Sequence, residues 1–328
     1  MTTGTPTDPP SAETPPEPLP GRMRIGMSMK QALTANGAII FNAVTWGTFF
    51  PIMEFLLSRW DIVSATAGRQ VIGAFALCVV LWLVEKKTPF RRGIPWGTMT
   101  WLGFVGITLG SMLTTLSVYF SSGLSAAIIA ATNPISAAIT AWALHRVPLT
   151  QRIVIGAVFS VTGGVIAAMA IRQDEFGFGV GELILVIANV TWTWYSLAMQ
   201  HHLRAFSQLE RNAYTLLPSA ITLVLLAVVL HVAGVNEIRI DLSLEPLLCL
   251  IYMGFVPIAL ANFLWHWGVA RIGVNIASMY MNLIPVSAVL VTLYMGGIPS
   301  WGQLAGGTII VAGVLYAQAG AFRRPKSR

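Results

Sequence analysis

Asn42, Trp46, Phe49 and Met53 fall at the spacing of one helical face, and Ala188, Trp192, Tyr195 and Met199 repeat that spacing 146 residues later. A second pair of stripes runs through Trp101, Thr108, Ser111 and Thr115 and, 151 residues on, Tyr252, Ala259, Asn262 and His266. Aromatic rings enclose apolar or aromatic groups, while Ser, Thr, Asn and His supply hydrogen bonds to polar ends. The implied chemistry is recognition of a small organic molecule. Its expected contacts are Asn42, Trp46, Phe49, Trp101, Ser111, Thr115, Trp192, Tyr195, Tyr252, Asn262 and His266, with Trp101 and Tyr252 nearer the rim. The same residues also allow a structural reading, in which Ser, Thr and Asn bond helices together and Trp sits in interfacial belts. Trp46 and Trp192 lie in the middle of their apolar segments, where a belt does not reach.

Ionisable groups inside apolar segments are few. Glu54 and Arg69 are close enough along their segments to form an ion pair at one end of the molecule. In the alternative reading, one of them meets the charged end of a zwitterionic ligand. No acidic residue falls at the middle of a segment, and His266 is the mid-segment group that titrates near neutral pH. The five histidines contain no ligand-spaced pair beyond His201-His202, and Cys78 and Cys249 both fall within apolar segments. No metal site, disulfide, cofactor or nucleophile-base arrangement is indicated, which argues against an embedded acyltransferase or hydrolase.

The segments that must position these residues follow from composition. Hydrophobic residues make up 55% of the 328 and charged residues 10%, against about 25% charged in a soluble domain. A bilayer core needs about 20 apolar helical residues to cross. Ten such stretches occur, at 34–57, 61–84, 96–120, 123–145, 151–171, 180–203, 208–232, 246–270, 273–296 and 300–322. They are too long and too uniformly apolar for barrel strands, so an all-α polytopic membrane protein with ten transmembrane helices is expected. Residues 1–30 are rich in Pro, Thr and Glu and read as a disordered cytoplasmic tail, and 323–328 as a short basic one. No short apolar run with a cleavage site precedes the first span, which is expected to be retained.

Of the 20 Lys and Arg, sixteen fall on the face that carries both termini, only Arg59, Arg172 and Arg239 fall on the other, and Arg69 lies within the second span. Positively charged short loops stay cytoplasmic, so both termini are expected in the cytoplasm of a bacterial inner (plasma) membrane. The net charge of +7 is on this reading a topology signal and gives no support to nucleic-acid binding.

The chain also repeats itself. Gly103-Phe104-Val105 falls on Gly254-Phe255-Val256, Pro134 on Pro285 and Pro148 on Pro299, while Val44-Thr45-Trp46 matches Val190-Thr191-Trp192. Two five-helix units are expected, 34–171 and 180–322, and an odd number of crossings makes the second inverted. Inverted repeats suit alternating access, since exchanging the conformations of the halves turns an outward-open cavity into an inward-open one. The glycine faces of the fifth span (Gly156, Ser160, Gly163, Ala167) and the tenth (Gly302, Gly306, Gly313, Ala317) serve close packing within one chain or a homodimer contact.

With Trp46 in the first span, Arg69 in the second, Asn133-Pro134 in the fourth and glycine-rich fifth and tenth spans, the sequence resembles the EamA-type branch of the drug/metabolite transporter superfamily, and within it the YddG-type exporters of aromatic amino acids and paraquat. The resemblance implies a membrane exporter whose partners are lipid and a small-molecule substrate, amino acids foremost. Flat organic cations such as paraquat are the alternative cargo, favoured by Trp-rich walls.

Overall fold

A computed structural model describes residues 28–88, 92–146, 149–169, 179–272, 277 and 280–318. The expected tails lie outside the described residues, except that Ser28 already caps the first helix and residues 29 and 30 belong to it. Arg91, Pro148, Arg172 and the start of the ninth expected span also lie outside them.

The described residues form helices and turns with no strand. The helices are α1 (Met29–Leu57), α2 (Ile62–Glu85), α3 (Trp96–Phe120), α4 (Gly123–Ala130), α5 (Asn133–His145), α6 (Gln151–Met169), α7 (Val180–His202), α8 (Gln208–Val232), α9 (residues 244–272), α10 (Leu283–Tyr294) and α11 (Trp301–Gln318). Six of them, α1, α2, α3, α7, α8 and α9, are long and apolar enough to cross a membrane, whereas α6, α10 and α11 are shorter apolar helices. The fourth expected span is two helices, α4 and α5, bent by 46° at a turn just before Asn133-Pro134. A turn also precedes α10, at residues 281–282, three residues ahead of Pro285. The structural cause is shared, since a proline nitrogen cannot continue the backbone ladder through the turn before it.

Sequence sets most helix starts through side-chain caps. Asp61 accepts from Val63 N and Ser64 N to begin α2, and Ser207 with Glu210 forms a capping box on α8. The outer surface is apolar, with Ile40, Phe41, Val71, Phe75, Leu225 and Val228 exposed, while Arg69, Gln70, Thr115, Thr215 and His266 are buried. That distribution suits lipid as solvent and would be untenable in water.

The contacts are symmetric under exchange of the halves. Helix α1 packs on α9 and α10, as α7 packs on α3 and α5; α2 packs on α8, and α6 on α11. The α6–α11 contact consumes the glycine faces of both helices. A methyl placed on Gly163 would lie 2.5 Å from Gly306 O, and one on Gly156 2.7 Å from Gly313 O. The two faces therefore pack against each other within one chain, where backbones approach as closely as small residues permit.

Two segments depart from α geometry at equivalent places. Residues Gly103–Leu109 of α3 and Gly254–Ala261 of α9 are π-helical, each beginning at a Gly-Phe-Val. Pro257 lacks an N–H to give the α ladder in the second, and Gly103 and Gly106 weaken it in the first. Each opening glycine also permits a close crossing: a methyl on Gly103 would overlap Thr215 O, and one on Gly254 would sit 2.9 Å from Arg69 O.

Candidate functional site

The second and seventh spans pack on each other and carry buried polar groups that the stripes on the first and third spans did not include. On the first half, Thr66 Oγ1 donates to Thr115 Oγ1 at 2.8 Å, and Thr115 in turn donates to Ser111 O at 3.0 Å. On the second half, Asn212 Nδ2 lies 3.3 Å from His266 Nδ1, which is 2.9 Å from Asn262 O. Thr66 and Asn212 are related by the shift of 146, and Thr115 and His266 by that of 151. The same relation links the aromatic pairs. Trp46 lies 5.1 Å from Phe49, and Trp192 5.5 Å from Tyr195, between ring centroids. Phe49 then meets Arg69, whose guanidinium carbon is 4.9 Å from the ring centre, while the Tyr195 hydroxyl bonds Thr215 Oγ1 at 2.7 Å. Arg69 and Thr215 are themselves 146 apart. Comparing α2 with α8 at the shift that relates the first and sixth spans would have found Thr66, Asn212 and Thr215 from sequence, beside Arg69, which its place inside the second span already singled out.

The expected contacts divide into groups. Phe49, Ser111 and Thr115 gather around Arg69 and its neighbour Gln70, whose Nε2 donates to Ser111 Oγ. Trp46 is half-buried and borders both hydrophobic clusters, one of which also holds Trp192 and Tyr195. His266 and Asn262 face Asn212 on α8. Asn42 is engaged with the backbone, donating from Nδ2 to Ala261 O at 2.7 Å, a carbonyl at the end of the π segment. The hydroxyls of Tyr252 and Thr48 share a hydrogen bond.

Trp101 stands apart. It is 59% exposed on the outer surface, beside Trp194 and His202 in a shallow groove away from the buried polar groups. Thr108 likewise turns to α8, donating to Ser219 Oγ at 2.9 Å, whereas Ser111 and Thr115 meet α2. The π segment is the reason. Its wider turns rotate the remainder of α3 by roughly 100°, one residue's worth of helix, so a stripe extrapolated at 3.6 residues per turn from Trp101 to Thr115 is not one face.

The expected Glu54–Arg69 pair is not formed. Glu54 Oε2 accepts from Gly123 N at 2.9 Å, at the start of α4, where the free backbone N–H groups and the helix dipole attract a carboxylate. Arg69 is buried without an acidic partner among the described residues.

Two polar clamps hold α2 to α8, one at each end. At one end Asp61 accepts from Arg239 N at 3.0 Å and Asn236 Nδ2 at 3.0 Å, Arg239 Nη2 donates to Leu57 O at 2.9 Å, and Arg59 pairs with Asp241 at 3.1 Å. At the other Lys87 pairs with Glu85 at 2.9 Å and Glu210 at 3.1 Å, and Ser207 Oγ donates to Glu85 Oε1 at 2.6 Å. Asp61 and Ser207 are equivalent caps, 146 apart, each tied to the far end of the other half's helix. Partial burial pushes the Asp61 carboxyl up, yet its hydrogen bonds from Ser64, Arg239 and Asn236 outweigh this and hold it below the usual carboxylate range. Glu85 and Glu210 hold the Lys87 ammonium above its ordinary range.

The sequence profile of the EamA-like transporter family matches residues 33–169 and 179–317. An uncharacterised transporter of Bacillus subtilis, YyaM, is 24% identical over 85% of this chain and 92% of its own length. A probable terminal-alkyne amino-acid exporter of Streptantibioticus cattleyicolor is 22% identical over 85% of this chain and 91% of its own. A crystal structure 20% identical in sequence superposes with a TM-score of 0.64 over 88% of this chain and 98% of that one, a likeness of fold alone.

Proposed function

The chain belongs to the EamA-like transporter family, and from that premise we propose that it exports small organic solutes, amino acids foremost and aromatic and other apolar ones among them, by alternating access between two inverted repeats. It is a multi-pass membrane transporter and not an enzyme. The observation that carries the proposal is the paired construction on the two halves: Trp46–Phe49 against Arg69 and Trp192–Tyr195 against Thr215, with Thr66–Thr115 matched by Asn212–His266. Halves with matching contacts can exchange conformations, and a central site then faces each side in turn. The probable terminal-alkyne amino-acid exporter among the relatives supports the cargo class. So does Arg69, since a buried guanidinium without an acidic partner among the described residues repels the organic cations that the aromatic walls would otherwise attract.

The test is flux of labelled amino acids in proteoliposomes of the purified protein, with and without an imposed pH gradient. Saturable movement of apolar and aromatic amino acids is expected, running down their own gradient, because no carboxylate among the described residues sits at mid-span to carry protons. Gradient-driven accumulation that persists in His266→Gln would overturn the coupling reading. Movement of paraquat-like dications with no amino-acid flux would overturn the cargo.

Orientation has its own test. We place both termini, and the Lys87 clamp, in the bacterial cytoplasm, on the sixteen-to-three distribution of Lys and Arg. A C-terminal fluorescent-protein fusion is expected to shine and an alkaline phosphatase fusion to be inactive; the reverse pattern defeats the assignment. We also propose that any homodimer uses surfaces other than the glycine faces of α6 and α11, which pack on each other.

A further inference from the structure

Arg69 is 1% exposed and among the largest fully buried side chains of the protein. A guanidinium carries five N–H donors in a planar fork and stays charged. Here Nη2 makes two long contacts, to Ser111 O at 3.3 Å and Thr115 Oγ1 at 3.2 Å, and Nε is buried with no hydrogen-bond partner. The acid nearest in expectation, Glu54, is engaged at the start of α4. Burying an unpaired charge is costly, and proteins retain such groups inside membranes where a ligand or ion completes them.

The neighbouring residue has the opposite deficit. Gln70 is 1% exposed, and its Oε1 is a buried acceptor with no partner. Adjacent residues of a helix point in different directions, but both side chains turn to Ser111: Arg69 Nη2 to its carbonyl and Gln70 Nε2 to its hydroxyl. One place in the fold thus holds an unsatisfied cationic donor and an unsatisfied neutral acceptor, with the Phe49 ring against the guanidinium and Trp46 beside Phe49.

We propose that Arg69, Gln70 and Ser111 form the head-group site for an α-amino acid zwitterion, its carboxylate received by the Arg69 fork, its ammonium donating to Gln70 Oε1, and its side chain lying along Phe49 and Trp46. This rests on the amino-acid reading of the function and adds which half of the molecule takes the charged head. The second half has Thr215 where the first has Arg69, so the two halves are unequal at this point and the substrate binds in one orientation.

The experiment compares inhibition of labelled phenylalanine flux in proteoliposomes by unlabelled phenylalanine, its methyl ester and phenethylamine. In the wild type the ester and the amine are expected to compete at least about 30-fold more weakly than the acid, as for loss of one partner of a buried charge pair. Arg69→Gln is expected to raise KM for phenylalanine by a similar factor and to abolish that preference, whereas Arg69→Lys restores part of it. Equal competition by ester and acid in the wild type overturns the proposal whether or not the variants fold. So does an unchanged KM in a folded Arg69→Gln. A wild type that moves no amino acid overturns instead the functional reading on which the site depends.

Discussion

Replacing Gly306 by leucine is expected to leave little folded transporter, and replacing its neighbour Gly307 by alanine to be harmless. A Cβ on Gly306 would overlap Gly163 O and lie 2.7 Å from Ala167 N, both backbone atoms that no rotamer change can move aside. On Gly307 the nearest atom is Ile128 Cγ1 at 3.5 Å, an ordinary van der Waals contact. Even Gly306→Ala must push α11 from α6, and Gly306→Leu is expected to cost about 3 kcal/mol through overpacking and lost interhelical contact. Gly307→Ala is expected to be neutral or to gain up to about 1 kcal/mol from helix propensity. Denaturation of the purified variants in micelles measures both. Equal effects at the two positions would show that α6 and α11 do not cross closely at their glycines.

If the proposed alternating access holds, removal of the Asp61 carboxylate is expected to open the proposed central site toward the face of Arg239, and removal of the Glu210 carboxylate toward the face of Lys87. Each residue joins α2 to α8 at one end only, so losing either favours the conformation in which that end has parted. Asp61→Ala removes the cross-links to Asn236 and Arg239, worth about 1–2 kcal/mol together, and should raise access from its side roughly 5- to 30-fold. The readout is reaction of a membrane-impermeant maleimide with Ser111→Cys, in a chain whose Cys78 and Cys249 are replaced by serine, with reagent supplied to each side separately. Asn236→Ala, which leaves the cap, should give a smaller change in the same direction. Faster labelling from one and the same side in both the Asp61 and Glu210 variants would defeat the idea. The Asp61 clamp also has a pH range. Its carboxyl is held below the ordinary value of 3.8, so its contribution is complete above that value and is lost as pH falls through the lower folded one. Mild acidity at that face therefore leaves it closed.

Much of this protein is set by local physics and is legible in the sequence. A bilayer demands about 20 apolar residues per crossing and internally satisfied backbone, so stretches such as 61–84 and 208–232 agree with α2 and α8 to within a residue. The Gly-Phe-Val and Val-Thr-Trp repeats, and the glycine faces of the fifth and tenth spans, likewise needed only spacing. What spacing does not contain is the direction of a side chain once the helix leaves 3.6 residues per turn. The π segments at Gly103–Leu109 and Gly254–Ala261 turn Trp101 outward and separate it from Ser111 and Thr115. Partner choice was equally hidden. Glu54 could be placed near Arg69 along the chain, but the free N–H of Gly123 comes from a third helix whose start is fixed by packing on Phe50 and Pro51. With Glu54 engaged there, tertiary structure alone determined that Arg69 is buried with its charge uncompensated by any acid among the described residues, because hydrophobicity sets how deep a residue lies, while only the packed helices set what surrounds it.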